Sequence, residues 1–346
     1  MKMDIDIVYT WCDNADEKWR AKREAAAAKY DLDFGSEAHG ACRYRSNDDL
    51  RHSLRSLEMY APWVRRIFLV VDDVATLPEW LDTKHPKLRV VRHSEILKSE
   101  HRPSFCSGSI EHSLMNIPDL AEHFLLANDD VLFNRPTLPS FFFAKDGCPI
   151  IRMAGKFVPS APDSKQTYML NLQRAMDVFR SRHDRICRAA RLAMRRVPHH
   201  NIDAYCKSDM LETRELYRAE IEEQLGYPFR RDKNIQRLIY ALEALQRGHG
   251  HLRISSFNTS PYGGILRRML PAWADSIMFV NDLWRLSPQM LERFQPKLIC
   301  YNDTAVTTDA AREWLKGQYA RLYPTPSAFE AGAEVEKRGG GGQWNF

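Results

Sequence analysis

Two apolar segments of this chain end abruptly in carboxylates. Residues 6–13 read DIVYTWCD and end at Asp13, and residues 124–130 read FLLANDD and end at Asp129 and Asp130. In an open α/β sheet, ligands bind beyond the carboxyl ends of the strands. Acids at two such ends therefore predict a site that holds a metal ion and a phosphate-bearing substrate. The alternative interpretation is that these acids are turn residues or helix caps.

A run of arginines follows the first of these segments. Arg43 and Arg45 precede a stretch with helical apolar spacing, and Arg51 and Arg55 lie four residues apart on one face of it. Arginine forks and helix N-termini both suit phosphate oxygens, so these side chains are candidates for substrate binding. A solvated helix face is the alternative interpretation.

Three later segments also carry reactive side chains. Residues 105–112 place a Ser/Gly turn ahead of Glu111, where free backbone N–H groups could hold a phosphate, although an ordinary Ser N-cap explains the pattern as well. The adjacent His199 and His200, followed later by Arg230 and Arg231, suggest a proton acceptor and a phosphate ligand. A metal site at the histidine pair is the alternative, although no third ligand is obvious nearby. Residues 298–303 are again an apolar run that ends in Asn-Asp, which indicates either another strand end or a turn.

The composition excludes several classes of protein. The 346 residues suffice for one large domain or two ordinary ones, with 44% hydrophobic and 27% charged residues and a net charge of +5. No run approaches the ~18 apolar residues of a membrane helix, and no signal peptide is evident. Seven cysteines without a CxxC pair argue against a disulfide framework or a zinc ribbon and fit a reducing cytoplasm. We expect Cys148 and Cys300 to be buried thiols.

The elements that must position these residues alternate between strand and helix through residue 145. This alternation predicts an α/β fold with a parallel-rich sheet. The predicted strands are 5–9, 66–71, 88–91 and 122–126, and the predicted helices are 17–29, 48–61 and 109–116.

The pattern changes after residue 150. Helical spacing dominates residues 167–197, 209–225 and 234–247, and strand-like segments return at 252–257 and 276–280. We therefore predict a single catalytic domain, 1–335, in which an α/β core (1–155 and 251–335) carries a helical insertion at about 156–250. Residues 336–346 are predicted to be a flexible tail.

These segments resemble the four sequence blocks of the Stealth family. That family comprises bacterial capsular polysaccharide sugar-1-phosphate transferases and the lysosomal-enzyme N-acetylglucosamine-1-phosphotransferase of animals. The matching blocks are residues 6–13, 43–81, 105–118 with 128–130, and 300–303, and residues 324–330 are similar to the family's closing segment. The resemblance thus extends over roughly residues 4–330.

The resemblance implies a Rossmann-like, nucleotide-sugar-transferase-type fold and a cytoplasmic enzyme. Such an enzyme passes hexose 1-phosphate from a nucleotide sugar, expected to be a UDP-sugar, to a hydroxyl of a growing glycan, and it releases UMP. The implied cofactor is Mg²⁺ or Mn²⁺. The implied partners are the donor, a polysaccharide or oligosaccharide acceptor and, peripherally, the inner membrane or the capsule assembly machinery. No nucleic acid partner is expected.

The family's functional residues carry over by position. Glu111, Asp130, His200 and Arg230 match catalytic positions, with His200 as the base toward the acceptor hydroxyl and Arg230 on the phosphoryl oxygens. The implied metal ligands are Asp129, Asp130 and Asp303. The implied substrate-binding residues are Trp11, Asp13, Arg45, Arg51, Arg55, Ser107 and Asn302.

Several features depart from the family pattern or leave alternatives open. Cys106, Gly108 and Met115 stand where the family often has Asn, His and His, and His199 could exchange roles with His200. The arginine-rich segment 174–196 suits a polyanionic glycan, an anionic membrane face or simply solvent. Two other functions remain open: a metal-dependent glycosyltransferase that releases UDP, and a module that binds polyanions without catalysis.

Overall fold

The structure is a computed structural model that describes residues 3–30, 32, 38–163, 166–255 and 275–332. The predicted tail, 336–346, lies outside the described residues, as do the last two positions of the strand predicted at 252–257. Within the described ranges, no helix has the length and apolar composition required to cross a bilayer.

The described part of the chain contains eleven strands and eleven α-helices. The strands are β1 (Ile5–Thr10), β2 (Ile67–Val71), β3 (Leu88–Arg92), β4 (His123–Asn128), β5 (Val131–Phe133), β6 (Ile150–Phe157), β7 (Arg196–Pro198), β8 (Asp203–Cys206), β9 (His251–Ser255), β10 (Ser276–Val280) and β11 (Leu298–Asn302). The helices are α1 (Glu17–Ala27), α2 (Asp49–Tyr60), α3 (His93–Ile96), α4 (Ser107–Glu111), α5 (Thr167–Arg182), α6 (Arg188–Ala193), α7 (Lys207–Leu216), α8 (Arg218–Leu225), α9 (Leu238–Arg247), α10 (Ser287–Phe294) and α11 (Asp309–Leu322).

A five-stranded sheet with the order β3-β2-β1-β4-β8 forms the centre of the fold. Strands β1 to β4 are parallel, and β8 pairs antiparallel with β4. The chain moves outward from β1 through β2 to β3 and then returns to place β4 on the other side of β1, which makes a topological switch point where ligands bind. The predicted Rossmann-like, parallel-rich α/β class is therefore confirmed.

Apolar side chains cover both faces of this sheet, as expected for parallel strands. Val8 and Phe68 pack on one face against a core that includes α5 and α9. Ile7 and Leu69 point to the opposite face and pack against a core that includes the apolar side of α2. The strand-period alternation within β1 and β2 thus packs two separate cores against opposite faces of one sheet.

Helix α2 begins one residue later than the predicted helix 48–61. Asp48 occupies its N-cap position with a left-handed backbone (φ 66°), and the Asp48 side chain makes no capping hydrogen bond. Instead, the backbone N–H of Asn47 donates to Oδ2 of Asp49 at 2.9 Å. This turn buries the Asp49 carboxylate at the start of the helix.

The predicted continuous basic helix at 167–197 is wrong. Helix α5 ends at Arg182, and Cys187 starts α6 as its N-cap, with its sulfur accepting from the backbone N–H of Ala190. The chain then pairs as β7 with β6. The region 156–250 also contributes β8 to the central sheet, so it is not purely helical. Strand pairing between distant segments overrides local helical spacing here.

Two three-stranded sheets flank the centre, with the orders β10-β11-β5 and β7-β6-β9. The strand expected at 298–303 exists as β11, but it belongs to a flanking sheet. It runs parallel to β10 and antiparallel to β5. Because only Asp129 and Asp130 separate β4 from β5, these two acids lie at the junction between the central sheet and a flanking sheet.

Candidate functional site

A cavity of about 860 Å³ opens where the carboxyl ends of β1, β4 and β11 meet. Its position at the switch point of the central sheet is the one expected for a ligand site in this class of fold. Ten of the thirteen predicted site residues line it: Trp11, Arg45, Ser107, Glu111, Asp129, Asp130, His200, Arg230, Asn302 and Asp303.

Three carboxylates, one buried and two half-buried, line the floor of this cavity. Asp129 and Asp130 come from the β4–β5 turn, and Asp49, which the sequence analysis missed, comes from the start of α2. Burial raises the pKa of Asp49 to about 7. Burial, and then the charges of Asp49 and Asp130, raise the pKa of Asp129 well above its usual range. Carboxylates that repel one another in a partly desolvated site favour the binding of a cation.

Asp130 is paired with His200. Nε2 of His200 lies 3.6 Å from Oδ2 of Asp130, and the Cys300 thiol donates to the same oxygen at 3.3 Å. Burial acts to raise the pKa of Asp130, but the hydrogen bond and charge of His200 outweigh it and hold this pKa below its usual value. The other oxygen of Asp130, Oδ1, is buried and has no hydrogen-bond partner among the described residues.

The carboxylates fit a hard divalent cation. Mg²⁺ and Mn²⁺ prefer oxygen ligands, and Asp130 presents an unpartnered carboxylate oxygen beside Asp129 and Asp49. Asp303 fits this role less well because it already accepts hydrogen bonds from Arg312 at 3.1 Å and from Arg45 at 3.3 Å. The structure therefore makes Asp303 the residue that holds Arg45 in place.

Two further cations face the cavity. Arg230 donates to the hydroxyl of Ser107 at 3.0 Å. Arg237, which the sequence analysis missed, donates to Oε1 of Glu111 at 3.0 Å and lies 3.0 Å from Oδ2 of Asp203. Glu111 is thus not a free acid, since its buried carboxylate pairs with the half-buried Arg237. No local motif marks Arg237, because its two partners lie on distant elements.

The two adjacent histidines occupy different environments. His199 is buried, and its Nδ1 lies 2.7 Å from the hydroxyl of Ser276. Burial lowers the pKa of His199 to about 4, so its ring is neutral at physiological pH. Because His200 is the histidine beside Asp130, the structure distinguishes the pair as the sequence could not.

One end of the cavity is aromatic. Trp11 lines it with Trp19, Tyr44 and Phe105, and the rings of Trp19 and Tyr44 are 5.2 Å apart. Nε1 of Trp11 is buried without a hydrogen-bond partner in the described part of the chain. Flat apolar surfaces with an available N–H donor suit the ring of a base or a sugar.

Three predicted substrate-binding residues do not reach the cavity, and their roles are corrected here. Asp13 accepts a hydrogen bond from the backbone N–H of Ala15 at 2.9 Å, which makes it a turn residue. Arg51 and Arg55 each donate to Glu330 at 2.6 Å. These two arginines attach α2 to the C-terminal segment of the described chain, because Glu330 is nearly buried and requires opposite charge.

Of the three residues that depart from the family pattern, two line the cavity and one does not. Cys106 and Gly108 line the cavity, and the side-chain amide of Asn234 donates to the Cys106 sulfur at 3.3 Å. Met115 is buried in the core and Cys300 is buried as expected, whereas Cys148 is partly exposed, contrary to expectation. All seven cysteines are free thiols.

Comparison with known proteins finds a family match. Residues 43–151 match the model of Stealth protein CR2, conserved region 2. The chain therefore carries a conserved region of the Stealth family. The match covers α2 and the central strands β2, β3 and β4, together with both acids of the β4–β5 turn. The conserved region therefore supplies much of the cavity floor.

Curated relatives are named as phosphotransferases. The exopolysaccharide phosphotransferase SCO2594 of Streptomyces coelicolor is 49% identical over 41% of this chain and 23% of its own length. CpsY of Mycobacterium tuberculosis, also an exopolysaccharide phosphotransferase, is 28% identical over 97% of this chain and 60% of its own. A capsular polysaccharide phosphotransferase of Neisseria meningitidis serogroup B is 37% identical over 44% of this chain and 41% of its own. The chain thus spans 60% or less of each relative.

Replacing Asp129 by Asn should stabilise the protein in the absence of divalent cations. Removing one of three repelling carboxylates should raise the free energy of unfolding by about 1 kcal/mol, which is roughly 1–2 °C in Tm for a protein of 346 residues. Thermal unfolding in EDTA measures the change. The matched control is Asp177→Asn, which alters an exposed carboxylate on α5. A lower Tm for Asp129→Asn than for the control would contradict the repulsion.

Replacing Glu330 by Gln should destabilise the protein by about 3 kcal/mol, because it leaves two arginines without their buried counter-charge. Burial acts to raise the pKa of Glu330, but hydrogen bonds from Arg55, Ser327 and Arg51 lower it to about 2. The charge therefore contributes fully above the unfolded pKa of about 4.3 and is lost as the pH falls toward 2.

Urea unfolding at pH 7 and pH 3 measures this contribution. The difference in free energy of unfolding between the wild type and Glu330→Gln should be smaller at pH 3 than at pH 7. The control variant Glu79→Gln, which changes an exposed carboxylate, should match the wild type at both pH values. A difference that is the same at both pH values would exclude a role for the Glu330 charge.

Proposed function

We propose that this protein transfers hexose 1-phosphate from a nucleotide sugar, specifically a UDP-sugar, to a hydroxyl group of a growing glycan. The reaction forms a phosphodiester and releases UMP in the synthesis of a capsular or other cell-surface polysaccharide. The observation that carries the proposal is the convergence of the His200–Asp130 pair, further carboxylates and arginines in one cavity. The conserved region of the Stealth family and the names of the curated relatives support it.

The proposed chemistry is an in-line displacement at phosphorus. The acceptor hydroxyl oxygen attacks the phosphorus that carries the sugar, and His200 takes the hydroxyl proton. The bond from this phosphorus to the bridging oxygen breaks, and UMP leaves with that oxygen. Asp130 holds the His200 ring and stabilises the imidazolium that forms, since its own pKa keeps it ionised.

Charge neutralisation is the second requirement of phosphoryl transfer. Arg230 and Arg45, held by Ser107 and Asp303, are placed to contact the phosphate oxygens. Mg²⁺ or Mn²⁺, held by Asp129 and Asp130 with Asp49 nearby, would supply further positive charge to the two phosphates. The aromatic end of the cavity, at Trp11, would take the nucleotide base.

The proposal includes the setting of the reaction. Seven free thiols fit a reducing compartment, so we place the enzyme in the cytoplasm. Exposed arginines on and around α6, including Arg188, Arg191 and Arg195, suit contact with the anionic inner face of the membrane or with a polyanionic glycan near the capsule assembly machinery.

The released nucleotide tests the proposed reaction. Purified protein is incubated with Mg²⁺, a panel of UDP-sugars and a short phosphoglycan primer, and the nucleotides are resolved by chromatography. UMP together with a longer primer is the expected result. UDP as the product would instead establish a glycosyltransferase that moves the sugar without its phosphate. A protein that binds primer but releases neither nucleotide from any donor would refute both reactions.

Replacing His200 by Ala should lower kcat by ~10²–10⁴-fold with little change in KM, because the base acts on the reacting proton and contributes little to binding. Steady-state release of UMP at saturating donor measures kcat. The matched control is His85→Ala, which removes a histidine that packs against Phe329 instead of lining the cavity. Full turnover by His200→Ala would exclude the base role.

A further inference from the structure

A second concentration of metal-binding side chains lies outside the cavity. Asp146, Cys148 and His251 each offer one ligand atom, and these three atoms lie within 4.8 Å of one another. None of the three residues lines the cavity. The proposed transfer reaction has no use for them, so a separate explanation is needed.

This cluster lies near the end of β4 that is opposite the cavity. A Cβ atom on Gly147 would lie 3.2 Å from Nε2 of His123, the first residue of β4. The last residue of β4, Asn128, lines the cavity. At about 3.3 Å per residue, the two ends of this strand are about 17 Å apart. The cluster and the cavity are therefore distinct sites.

The backbone conformation holds the three ligand residues close to one another. Gly147 has a left-handed conformation (φ 84°), which glycine adopts without strain, and it closes a tight turn. Within this turn, the backbone N–H of Cys148 donates to Oδ1 of Asp146 at 3.0 Å. The backbone N–H of His251 donates to the carbonyl of Pro149 at 2.9 Å, so the start of β9 lies against the turn. Nε2 of His251 lies 2.7 Å from Oδ2 of Asp146.

The chemistry of this set differs from that of the cavity floor. A thiolate, an imidazole and a carboxylate are ligands that Zn²⁺ binds readily, whereas Mg²⁺ and Ca²⁺ avoid sulfur. We infer that Asp146, Cys148 and His251 form a binding site for a zinc-type divalent cation. All three residues are at least partly exposed, so a cation and its fourth ligand reach the site from solvent.

The surroundings add further ligand-type groups. The Cys206 thiol lies 3.9 Å from the carbonyl of Gly147, and Cys206 is the register partner of His123. Nearby, Nδ1 of His249 lies 2.7 Å from Oδ1 of Asp209. Burial and the charges of Asp146 and Asp209 raise the pKa of the Cys148 thiol. The same negative charges favour a cation, which displaces the thiol proton on binding.

An exposed ion pair does not account for this arrangement. The contact between Asp146 and His251 is exposed to solvent, so it contributes little to stability by itself, and it requires no thiol. Cys148 nevertheless presents its sulfur within reach of both partners. A bound cation would join chain segments 105 residues apart and fasten β9 to β6. Because β6 also pairs with β7, which leads directly into His199 and His200, the clip would stiffen the strand that positions the proposed base.

Cobalt spectroscopy tests the site directly. The full-length protein is stripped with EDTA and titrated with Co²⁺, and absorbance is followed in the thiolate charge-transfer and d–d regions. A thiolate band that saturates at one equivalent, and that Zn²⁺ displaces, is the expected result. Cys148→Ser should abolish the band, and His251→Ala should weaken Zn²⁺ binding by at least ~10–100-fold, the loss caused by removing even an outer-shell partner.

Cys300→Ala is the decisive control, because Cys300, Asp130 and His200 form another set with ligand atoms within 4.8 Å of one another. The band should survive in Cys300→Ala. A band that is lost in this variant and retained in Cys148→Ser would overturn the inference and assign the thiolate to the cavity. Absence of any thiolate band in the wild type would also overturn it. Far-UV circular dichroism checks the fold of each variant, and the two ligand variants provide independent tests.

Discussion

The structure depends on the partial burial of carboxylates at the junction of two sheets. Asp129 and Asp130 are the whole connection between β4 and β5, so the acids cannot leave the floor of the cavity without separating the central sheet from its neighbour. Asp49 joins them because the turn before α2 directs its carboxylate inward. Their mutual repulsion is a stability cost that the surrounding packing sustains, which is typical of functional sites.

Elsewhere the protein neutralises its buried acids with arginine. Glu330 lies between Arg51 and Arg55, and Asp303 lies between Arg45 and Arg312. Both contacts of Glu330 and the contact of Asp303 with Arg45 connect segments far apart in the chain, whereas Arg312 is only nine residues from Asp303. The cavity floor is the contrasting case, because Asp130 keeps an oxygen without a partner among the described residues. That contrast separates carboxylates that hold the fold together from carboxylates that remain available to a ligand.

The pairing of charged and polar side chains also assigns roles to the residues around the cavity. Glu111 forms an ion pair with Arg237, and Asp203 shares that arginine, so a strand, a short helix and the start of α9 meet at one half-buried cation. Ser107 orients Arg230, and Asp130 orients His200. The side chains that would contact phosphate are thus positioned by partners that are themselves held in regular structure. Such support gives a site the fixed geometry that phosphoryl transfer requires.

The sequence by itself predicted the α/β class and most strand positions, and ten of its thirteen predicted site residues line the cavity. It could do so because buried parallel strands read as apolar runs, and because polar residues at their carboxyl ends must meet at one edge of a sheet. The Stealth resemblance added His200 and Arg230, which no local pattern distinguishes from other histidines and arginines. These signals are local or family-wide, and a single chain displays them directly.

Only the tertiary structure decided which charges pair. Arg51 and Arg55 share a helix face with substrate-binding potential, yet a glutamate some 280 residues away takes both. Asp49 and Arg237 belong to the site although their local sequence shows nothing unusual, since their partners come from other elements. The continuous helix expected at 167–197 does not form, because β7 pairs with β6. In each case the deciding interaction joins segments that are distant in sequence, and local residue spacing cannot reveal such a contact.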